Sequence, residues 1–282
     1  MTTLTLPAPA KLNRLLHITG RREDGYHRLQ TLFQIIDLCD QLTITSRDDG
    51  VIQLTSRMPG IAADDNLIVR AAQLLQKVSG TRLGATLTLD KTLPMGGGLG
   101  GGSSDAATTL VGLNTIWQLG FSLDELAALG LQLGADVPVF VHGHTAWAEG
   151  VGEQLTPVGL DTPWFVIIHP GVSVSTQAVF QDPQLTRDSR PITMARALQG
   201  GASEWRNDCE AVVKQHYPAI AQALDWLSQH APSRLTGTGA CVFAAFEDAQ
   251  TAHAVAEAAG HHGSAWVARG LNTSPLHDAL GC

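Results

Sequence analysis

One stretch constrains this chain more than any other: residues 93–107, which read LPMGGGLGGGSSDAA. Every residue from Gly96 to Gly102 is glycine except Leu99. An alternating, strand-like run at residues 85–89 precedes the stretch, and an alanine-rich segment with helical spacing follows it. Glycines let backbone N–H groups approach a ligand closely, and the first N–H groups of a helix are free. The order of these elements therefore predicts an anion-binding site for phosphate.

Three other interpretations of the glycine stretch fit less well. A flexible linker rarely lies between a strand and a capped helix. A P-loop needs a lysine before the Ser or Thr that closes it, and here Ser103 and Ser104 follow glycine directly. A dinucleotide fold needs an acidic residue about twenty positions on, at the end of the next strand. The nearest acids, Asp124 and Glu125, lie instead inside a predicted helix, so the sequence predicts a phosphate loop of another class.

Composition limits the classes of protein to which the chain can belong. Its 282 residues suit one large or two medium domains, and 16% charged residues are ordinary for a globular protein. A net charge of −8 without a basic stripe argues against a nucleic-acid partner. No apolar run reaches the length of a membrane span, and no signal pattern opens the sequence, so no membrane partner is expected. The scattered cysteines predict reduced thiols in a cytoplasmic protein: Cys39, Cys209, Cys241 and Cys282.

The first half of the chain predicts short strands joined by tight turns, which favours an antiparallel or mixed sheet. Pro7 and Pro9 end the first strand and restrict it to an edge, and the next strand carries Lys11, Asn13 and His17 on one face. The predicted strands lie at residues 3–6, 10–18, 32–38, 41–45, 51–55 and 85–89, and the predicted helices at residues 67–75 and 122–129.

The pattern changes near Asp161, where we predict a domain boundary between residues 1–160 and 161–282. Just before it, Asp136 is expected on a turn that leads into an apolar strand at residues 137–140. The second half predicts strands at 164–168, 241–246 and 265–267, and helices at 173–180, 209–228 (broken at Pro218) and 249–259. Mixed strands and helices in both halves predict an α+β protein of two domains with mixed sheets and packed helices.

Three motifs, in order along the chain, resemble the signatures of the GHMP small-molecule kinases: Pro9–Asn13, Pro94–Ser104 and Thr236–Ala240. Further stretches resemble the members of this family that phosphorylate CDP-methylerythritol: Asp24–His27, Gly134–Pro138 and Ser233–Gly239. Several motifs in the right order across nearly the whole chain are more specific than one glycine loop. The resemblance implies a two-domain GHMP kinase fold and ATP-dependent phosphorylation of the 2-hydroxyl of 4-diphosphocytidyl-2-C-methyl-D-erythritol, a step in the non-mevalonate formation of isoprenoid precursors.

The resemblance also implies which residues bind ATP and which catalyse the transfer. It places the ATP phosphates on a contiguous set: Pro94, Met95, Gly96, Gly97, Gly98, Leu99, Gly100, Gly101, Gly102, Ser103 and Ser104. Asp136 is expected to accept the proton of the hydroxyl, with the charge of Lys11 beside it. Magnesium is expected to accompany ATP with few protein ligands, Ser104 among them. No resident metal site is predicted, because His142 and His144 have no acid or cysteine at a suitable spacing.

The acceptor site is likewise implied by the resemblance. Tyr26, His27 and Phe180 are expected at the cytidine end, where an aromatic face stacks on the base and the histidine reads its polar edge. The other expected acceptor residues are Asn13, Thr238 and Gly239. Gln181 stands where a basic residue is expected beside Phe180, so a charged contact to the substrate diphosphate is in doubt at that position.

Two rival functions remain open at the level of the sequence. One is a GHMP kinase that acts on a different small alcohol, and the other is a non-catalytic nucleotide-binding protein that keeps the fold. The presence of both Lys11 and Asp136 argues against the second. The sequence does not fix the oligomeric state, and a homodimer is one option.

Overall fold

The computed structural model describes residues 2–23, 25–56, 58, 60, 62, 65–202 and 204–281, so Asp24 and Cys282 of the sequence predictions lie outside it. The strands of the described residues are β1 (Thr3–Arg21), β2 (His27–Arg47), β3 (Ile52–Leu54), β4 (Gly84–Asp90), β5 (Ala146–Glu149), β6 (Gln154–Pro157), β7 (Trp164–His169), β8 (Ser233–Leu235), β9 (Val242–Phe246) and β10 (Ser264–Leu271). The helices are α1 (Leu67–Ser79), α2 (Gly101–Ile116), α3 (Leu123–Leu131), α4 (Val137–His142), α5 (Thr176–Gln181), α6 (Met194–Gly200), α7 (Glu210–His216), α8 (Pro218–Leu227), α9 (Ala249–Ala258) and α10 (Pro275–Leu280).

A long antiparallel ribbon of β1 and β2 replaces the shorter strands predicted for the first 47 residues. The prediction that the first strand ends near Pro7 is wrong, but its restriction to a sheet edge is confirmed. Within the part of the chain that the structure describes, β2 is the one strand that pairs with β1, so β1 tolerates the missing N–H groups of its prolines. The register shifts between Pro9 and Lys11 and again between Asn13 and Leu15. Such bulges bend a strand and re-aim its side chains, and here they lie beside the lysine predicted to be catalytic.

A mixed sheet joins the two halves of the chain in the order β3-β4-β2-β10-β7-β9-β8. β3 and β4 run parallel, and the other pairs along this path are antiparallel. β10, close to the end of the chain, pairs with both β2 and β7 and so connects the halves. The predicted α+β class with a mixed sheet is confirmed.

The segment after Asp136 is helical, which corrects the predicted strand at residues 137–140. Pro138 lies in the first turn of α4, where its missing N–H costs nothing, and Gly143 ends the helix in the left-handed conformation. All residues from Val137 to Val141 are buried, so the run is apolar on every face. Periodicity cannot distinguish so short a buried helix from a strand.

Helix α2 follows the glycine loop and anchors it to the hydrophobic core. Its residues from Ser104 to Leu113 are buried, and it packs against α1, α4 and β1. A Cβ added at Gly112 would lie 2.5 Å from Cδ1 of Ile44, so this glycine is required for the close approach of α2 to the sheet. Among the described residues, no helix has the length and apolarity needed to cross a membrane.

Candidate active site

The glycine loop is fixed by backbone hydrogen bonds to two other parts of the chain. The N–H of Lys11 on β1 donates to the carbonyl of Leu99 (3.0 Å). The N–H groups of Ala240 and Cys241, at the second glycine turn, donate to the carbonyls of Gly96 (3.1 Å) and Gly97 (3.0 Å). The predicted order of strand, glycine loop and helix is confirmed, because β4 precedes the loop and α2 begins at its end. The three kinase-like motifs therefore meet at one place.

A cleft of about 530 Å³ lies at this meeting point. The predicted site residues that line it are Lys11, Asn13, Pro94, Met95, Gly96, Gly97, Gly98, Leu99, Gly100, Gly101, Gly102, Ser103, Asp136, Phe180 and Thr238. Four further predicted residues, Tyr26, His27, Ser104 and Gly239, are not part of the lining. The cleft also takes in Thr31, Phe33, Lys91 and Thr176, which the sequence did not single out.

Lys11 and Asp136 face each other across the cleft. The Lys11 ammonium lies 3.5 Å from a carboxylate oxygen of Asp136, and their side chains are 3% and 35% exposed. Nζ of Lys11 also donates to Oδ1 of Asn13 (2.6 Å) and to the carbonyl of Gly98 (2.9 Å). Each of the three N–H bonds of the Lys11 ammonium thus has an acceptor, on Asn13, Gly98 or Asp136. These contacts hold the ammonium in place beside the carboxylate.

Asn13 is held in turn by two threonines. Its Nδ2 donates to Oγ1 of Thr31 (2.9 Å), and its backbone N–H donates to Oγ1 of Thr236 (3.1 Å). Thr236 opens the second glycine turn and lies 3.2 Å from the carbonyl of Gly98. A buried polar chain therefore runs from Thr31 through Asn13 to Lys11, and it sets the geometry of the lysine.

Gly98 is the glycine with the least room in the loop. Its φ is +76°, and an added Cβ would lie 2.2 Å from the carbonyl oxygen of Thr236. Gly96 has a similar φ of +68° but open space around the same position. The two glycines thus share a conformation that disfavours other residues, and only Gly98 also needs the absence of a side chain for packing.

We therefore expect Gly98→Ala to destabilise the protein more than Gly96→Ala. At Gly96 the change costs the left-handed backbone alone, about 1–2 kcal/mol. At Gly98 the two glycine turns must also separate, which displaces the carbonyl that holds Lys11 and weakens ATP binding further. Urea unfolding and calorimetric titration with ATP measure both effects. Equal losses in the two variants would show that packing at Gly98 plays no part.

A buried cluster of Lys91, Asp40 and Asp105 braces both ends of the glycine loop. Nζ of Lys91 lies 2.5 Å from Oδ2 of Asp40 and 2.7 Å from Oδ2 of Asp105. Oδ1 of Asp40 accepts the backbone N–H groups of Thr92 (2.6 Å) and Leu93 (2.8 Å), directly before the loop. Asp105 lies near the start of α2, shortly after the loop. The cluster thus connects the entrance of the loop to its exit.

One ammonium between two buried carboxylates leaves an excess negative charge. Asp40 also accepts two backbone N–H groups, whereas Oδ1 of Asp105 is buried without a hydrogen-bond partner, so Asp105 is the less compensated of the two carboxylates. Burial raises the pKa of Asp105 to about 7, and the charge of Asp40 adds to the increase against the opposing effect of Lys91. The native protein accordingly holds a proton here at a pH where the unfolded chain has lost it.

The pKa of Asp105 predicts how stability depends on pH. Between the ordinary pKa of an aspartate and about 7, the native state binds more protons than the unfolded state, so the free energy of unfolding falls as pH rises. We expect Asp105→Asn to remove part of this decline, a fraction of the ~1.4 kcal/mol per pH unit that one full proton difference gives. Asp124→Asn, at a 94% exposed side chain, is the control. Parallel pH profiles for wild type and Asp105→Asn in urea unfolding would contradict the assignment.

Of the residues predicted for cytidine, Phe180 lines the cleft, and His27 contacts Phe180 from outside the lining. The rings of His27 and Phe180 stack with centroids 5.0 Å apart and an angle of 22°. A base inserted between the two rings would need about 3.5 Å on each of its sides, which is more than their separation allows. A base must therefore stack on an outer face of one of these two rings. Tyr26 is 64% exposed at the edge of the ribbon. Thr238 lies deeper, with its Oγ1 2.9 Å from Oγ1 of Thr176.

Comparison with known proteins places this cleft in a family. The family profiles called GHMP kinases N terminal domain and GHMP kinases C terminal match residues 66–144 and 190–265. A 4-diphosphocytidyl-2-C-methyl-D-erythritol kinase from Chromohalobacter salexigens is 61% identical over 100% of this chain and 95% of its own length. Another, from Mannheimia succiniciproducens, is 55% identical over 99% of this chain and 91% of its own. The chain belongs to the 4-diphosphocytidyl-2-C-methyl-D-erythritol kinases, within the GHMP kinases.

Solved GHMP kinases share the fold described above. A crystal structure of 4-(cytidine 5'-diphospho)-2C-methyl-D-erythritol kinase matches with a TM-score of 0.83 and 32% identity, covering 95% of this chain and 99% of that one. Homoserine kinase from Cytophaga hutchinsonii matches in fold with a TM-score of 0.71 at 17% identity, over 97% of this chain and 96% of its own. The predicted GHMP kinase family is confirmed, and the chain is a small-molecule kinase that uses ATP.

Sequence reasoning missed three residues that shape the site of this GHMP kinase. Lys91 stands just before the Pro94–Ser104 motif, and Thr236 is the first residue of the Thr236–Ala240 motif, although neither was given a role in the site. Lys91 contacts Asp105, and Thr236 contacts Gly98 of the glycine loop. Their position in or next to a motif was the available signal. Arg187 lies in the polar loop after α5 and reaches both His27 and Phe180. Nothing in the local sequence marks it, because its partners are far away along the chain.

Proposed function

We propose that this chain carries out the reaction for which its relatives are named, ATP-dependent phosphorylation of the 2-hydroxyl of 4-diphosphocytidyl-2-C-methyl-D-erythritol. This is a step in the non-mevalonate formation of isoprenoid precursors. The observation that carries the proposal is the pair of Lys11 and Asp136, 3.5 Å apart in the cleft that the glycine loop lines. A cleft with a phosphate loop alone would bind a nucleotide. The charged pair adds the groups that phosphoryl transfer to an alcohol requires.

The proposed reaction moves the γ-phosphoryl group of ATP to the hydroxyl oxygen and leaves ADP. The new bond joins the acceptor oxygen to phosphorus, and the bond from phosphorus to the β–γ bridging oxygen breaks. Asp136 orients the hydroxyl and takes its proton as the new bond forms, which is late in a loose transition state. Lys11, held by Asn13 and Gly98, stabilises the negative charge at the reacting oxygens.

The nucleotide is proposed to place its phosphates on the glycine loop and the free N–H groups that begin α2. Magnesium would enter with ATP and would supply positive charge that offsets the charge of the phosphates. Among the described residues there is no group of three histidine, cysteine or acidic side chains that could hold a metal ion. Ser104 has a buried Oγ without a hydrogen-bond partner in the first turn of α2, which fits the predicted contact.

The acceptor is proposed to lie with its nucleotide end against Phe180, His27 and Tyr26 and its reacting end at Asp136. Asn13, Thr238 and Gly239 remain proposed acceptor contacts between these ends. Binding at the nucleotide end, far from the hydroxyl, would serve to position the hydroxyl. Free methylerythritol 4-phosphate should therefore be a very poor acceptor, with a loss in rate as well as in affinity.

An acceptor panel tests the proposed function. ADP release is measured with CDP-methylerythritol, homoserine, mevalonate, galactose and methylerythritol 4-phosphate. We expect turnover with the cytidine-linked alcohol and little with the others. Turnover with another alcohol would favour a different GHMP kinase activity, and nucleotide binding without any turnover would favour a non-catalytic role.

We also propose the division into domains at residues 1–160 and 161–282. Support comes from the packing of the described residues. One hydrophobic cluster is built from residues 6–148 together with one residue of α10. Another is built from residues 166–259 together with two residues of β1. The cleft lies where these two parts meet. A homodimer and a cytoplasmic location stay predictions.

A further inference from the structure

Arg187 contacts both aromatic residues of the proposed cytidine site, although it lies in the loop between α5 and α6. Its Nε lies 3.2 Å from Nε2 of His27, and its Nη2 donates to the carbonyls of Phe180 (2.9 Å) and Asp182 (2.6 Å). Its Nη1 donates to the carbonyl of Leu185 (3.1 Å). Four of the five N–H groups of a guanidinium are thus used by the protein. Arg187 therefore has no pair of free N–H groups with which to bind a diphosphate. Its contacts are those of a residue that positions other residues.

The contact from Arg187 defines the protonation state of His27. A guanidinium can only donate, so Nε2 of His27 must accept, and the ring is then neutral with its proton on Nδ1. Burial lowers the pKa of His27, and the charges of Arg187 and Arg21 lower it further. The two cations face the ring from two elements, the loop after α5 and strand β1, where Arg21 pairs with His27. Both therefore oppose a charged imidazole.

We propose that Arg187 is a positioning residue that holds His27 neutral, as the Nδ1–H tautomer, against Phe180, and thereby favours cytidine as the nucleotide of the acceptor. The proposal rests on the proposed function, because it assumes an acceptor with a pyrimidine. The fixed tautomer offers one N–H donor to the base. Position N3 of cytosine accepts a hydrogen bond, whereas N3 of uracil carries a proton of its own. A histidine free to move its proton to Nε2 would lose this discrimination, because its Nδ1 would then accept a hydrogen bond instead of donating one.

The first test reads His27 in the wild-type full-length chain without any acceptor. Nitrogen-15 NMR of labelled histidine reports the tautomer, and the His27→Gln variant assigns the signals. We expect an unprotonated Nε2, a protonated Nδ1 and a neutral ring at pH values well below the ordinary histidine pKa of about 6.5. In Arg187→Met the pKa of His27 should rise and the tautomers should mix. A wild-type His27 with its proton on Nε2, or one that titrates at about 6.5, would overturn the proposal.

The second test compares Arg187→Met with Arg190→Met, which removes the same charge at an exposed position three residues on in the same loop. We expect kcat/KM for CDP-methylerythritol to fall about tenfold in Arg187→Met, the scale of one lost hydrogen bond. The KM for ATP should stay unchanged, and Arg190→Met should behave like wild type. The preference of calorimetric binding for CDP over UDP should also shrink in Arg187→Met.

A folded Arg187→Met with wild-type kcat/KM and wild-type preference for CDP would contradict the proposal. If that variant does not fold, Arg187→Lys and the wild-type NMR spectrum decide, since the lysine keeps the charge without the guanidinium geometry. Arg187→Lys should lose the CDP preference, and retention of that preference would equally overturn the assignment. Failure of the proposed function looks different: the wild type would then show no turnover with CDP-methylerythritol, while the tautomer of His27 would still be measured.

Discussion

Asp136→Asn and Lys11→Met are each expected to reduce kcat by about 100-fold or more, the scale of losing a positioned proton acceptor or its charged partner. Asparagine keeps the shape of Asp136 but cannot take the proton of the hydroxyl. Methionine fills the space of Lys11 but removes the charge that lies 3.5 Å from the carboxylate. Steady-state ADP release with saturating substrates measures the effect. More than about a tenth of the wild-type rate, a deficit under about 1.4 kcal/mol, would exclude a catalytic role for that residue.

Stability must be measured beside the rates, because the two residues differ in their surroundings. Asp136 is partly exposed and its side chain makes no cap hydrogen bond to α4, so Asp136→Asn should fold like wild type. Lys11 is buried, and its removal takes a charged donor away from the acceptors on Asn13 and Gly98, which lowers the free energy of unfolding as well. Asp161→Asn is a matched control, because Asp161 also pairs with a cation, Arg14, but does not line the cleft.

Phe180→Ala is expected to lower kcat/KM for CDP-methylerythritol by about 5–150-fold, the 1–3 kcal/mol of one aromatic–base stack. Phe180 lines the cleft and stacks on His27, and it is not part of the glycine loop. The KM for ATP should therefore hardly change. Paired kinetics for both substrates measure the split between acceptor and nucleotide effects.

Phe180 also packs against the hydrophobic cluster of the second half, so a loss of stability accompanies the alanine variant. Phe180→Leu restores much of the apolar volume without the aromatic face, and separates packing from stacking. We expect Phe180→Leu to recover stability but not kcat/KM. If Phe180→Ala is strongly destabilised yet keeps its kcat/KM in the folded fraction, Phe180 is a core residue and the cytidine is bound elsewhere.

The site was predictable from sequence where its residues stand in a motif and unpredictable where they meet only in space. The glycine loop is local, since each of its glycines follows its neighbour into α2. Lys11 and Asp136 belong to two separate motifs, and the resemblance to GHMP kinases brought them together before any geometry did. The hydrogen bond between Asn13 and Thr31 depends on the register of β1 and β2, which a sequence pattern does not give. The hydrogen bond between Asn13 and Thr236 joins residues that are far apart along the chain.

Errors in the predicted elements have equally local causes. The prolines of β1 predict a strand end only if both edges of the strand are paired, and the sequence does not say which edge is free. The strand predicted at residues 137–140 is the helix α4 because burial on all sides erases the helical period. Two short helices, α6 and α10, were not predicted at all. Their few residues carry too little periodicity, and packing against the rest of the chain decides their conformation.

The position of the transferred phosphate tests the central claim most directly. CDP-methylerythritol labelled with carbon-13 at C2 is incubated with ATP and the wild-type chain, and the product is observed by phosphorus-31 and carbon-13 NMR. The account predicts one new phosphomonoester whose phosphorus couples to C2, with the diphosphate bridge intact and one ADP formed per product. A phosphate on another hydroxyl, or ADP without a phosphorylated acceptor, would contradict a site in which Asp136 and Lys11 act on the 2-hydroxyl.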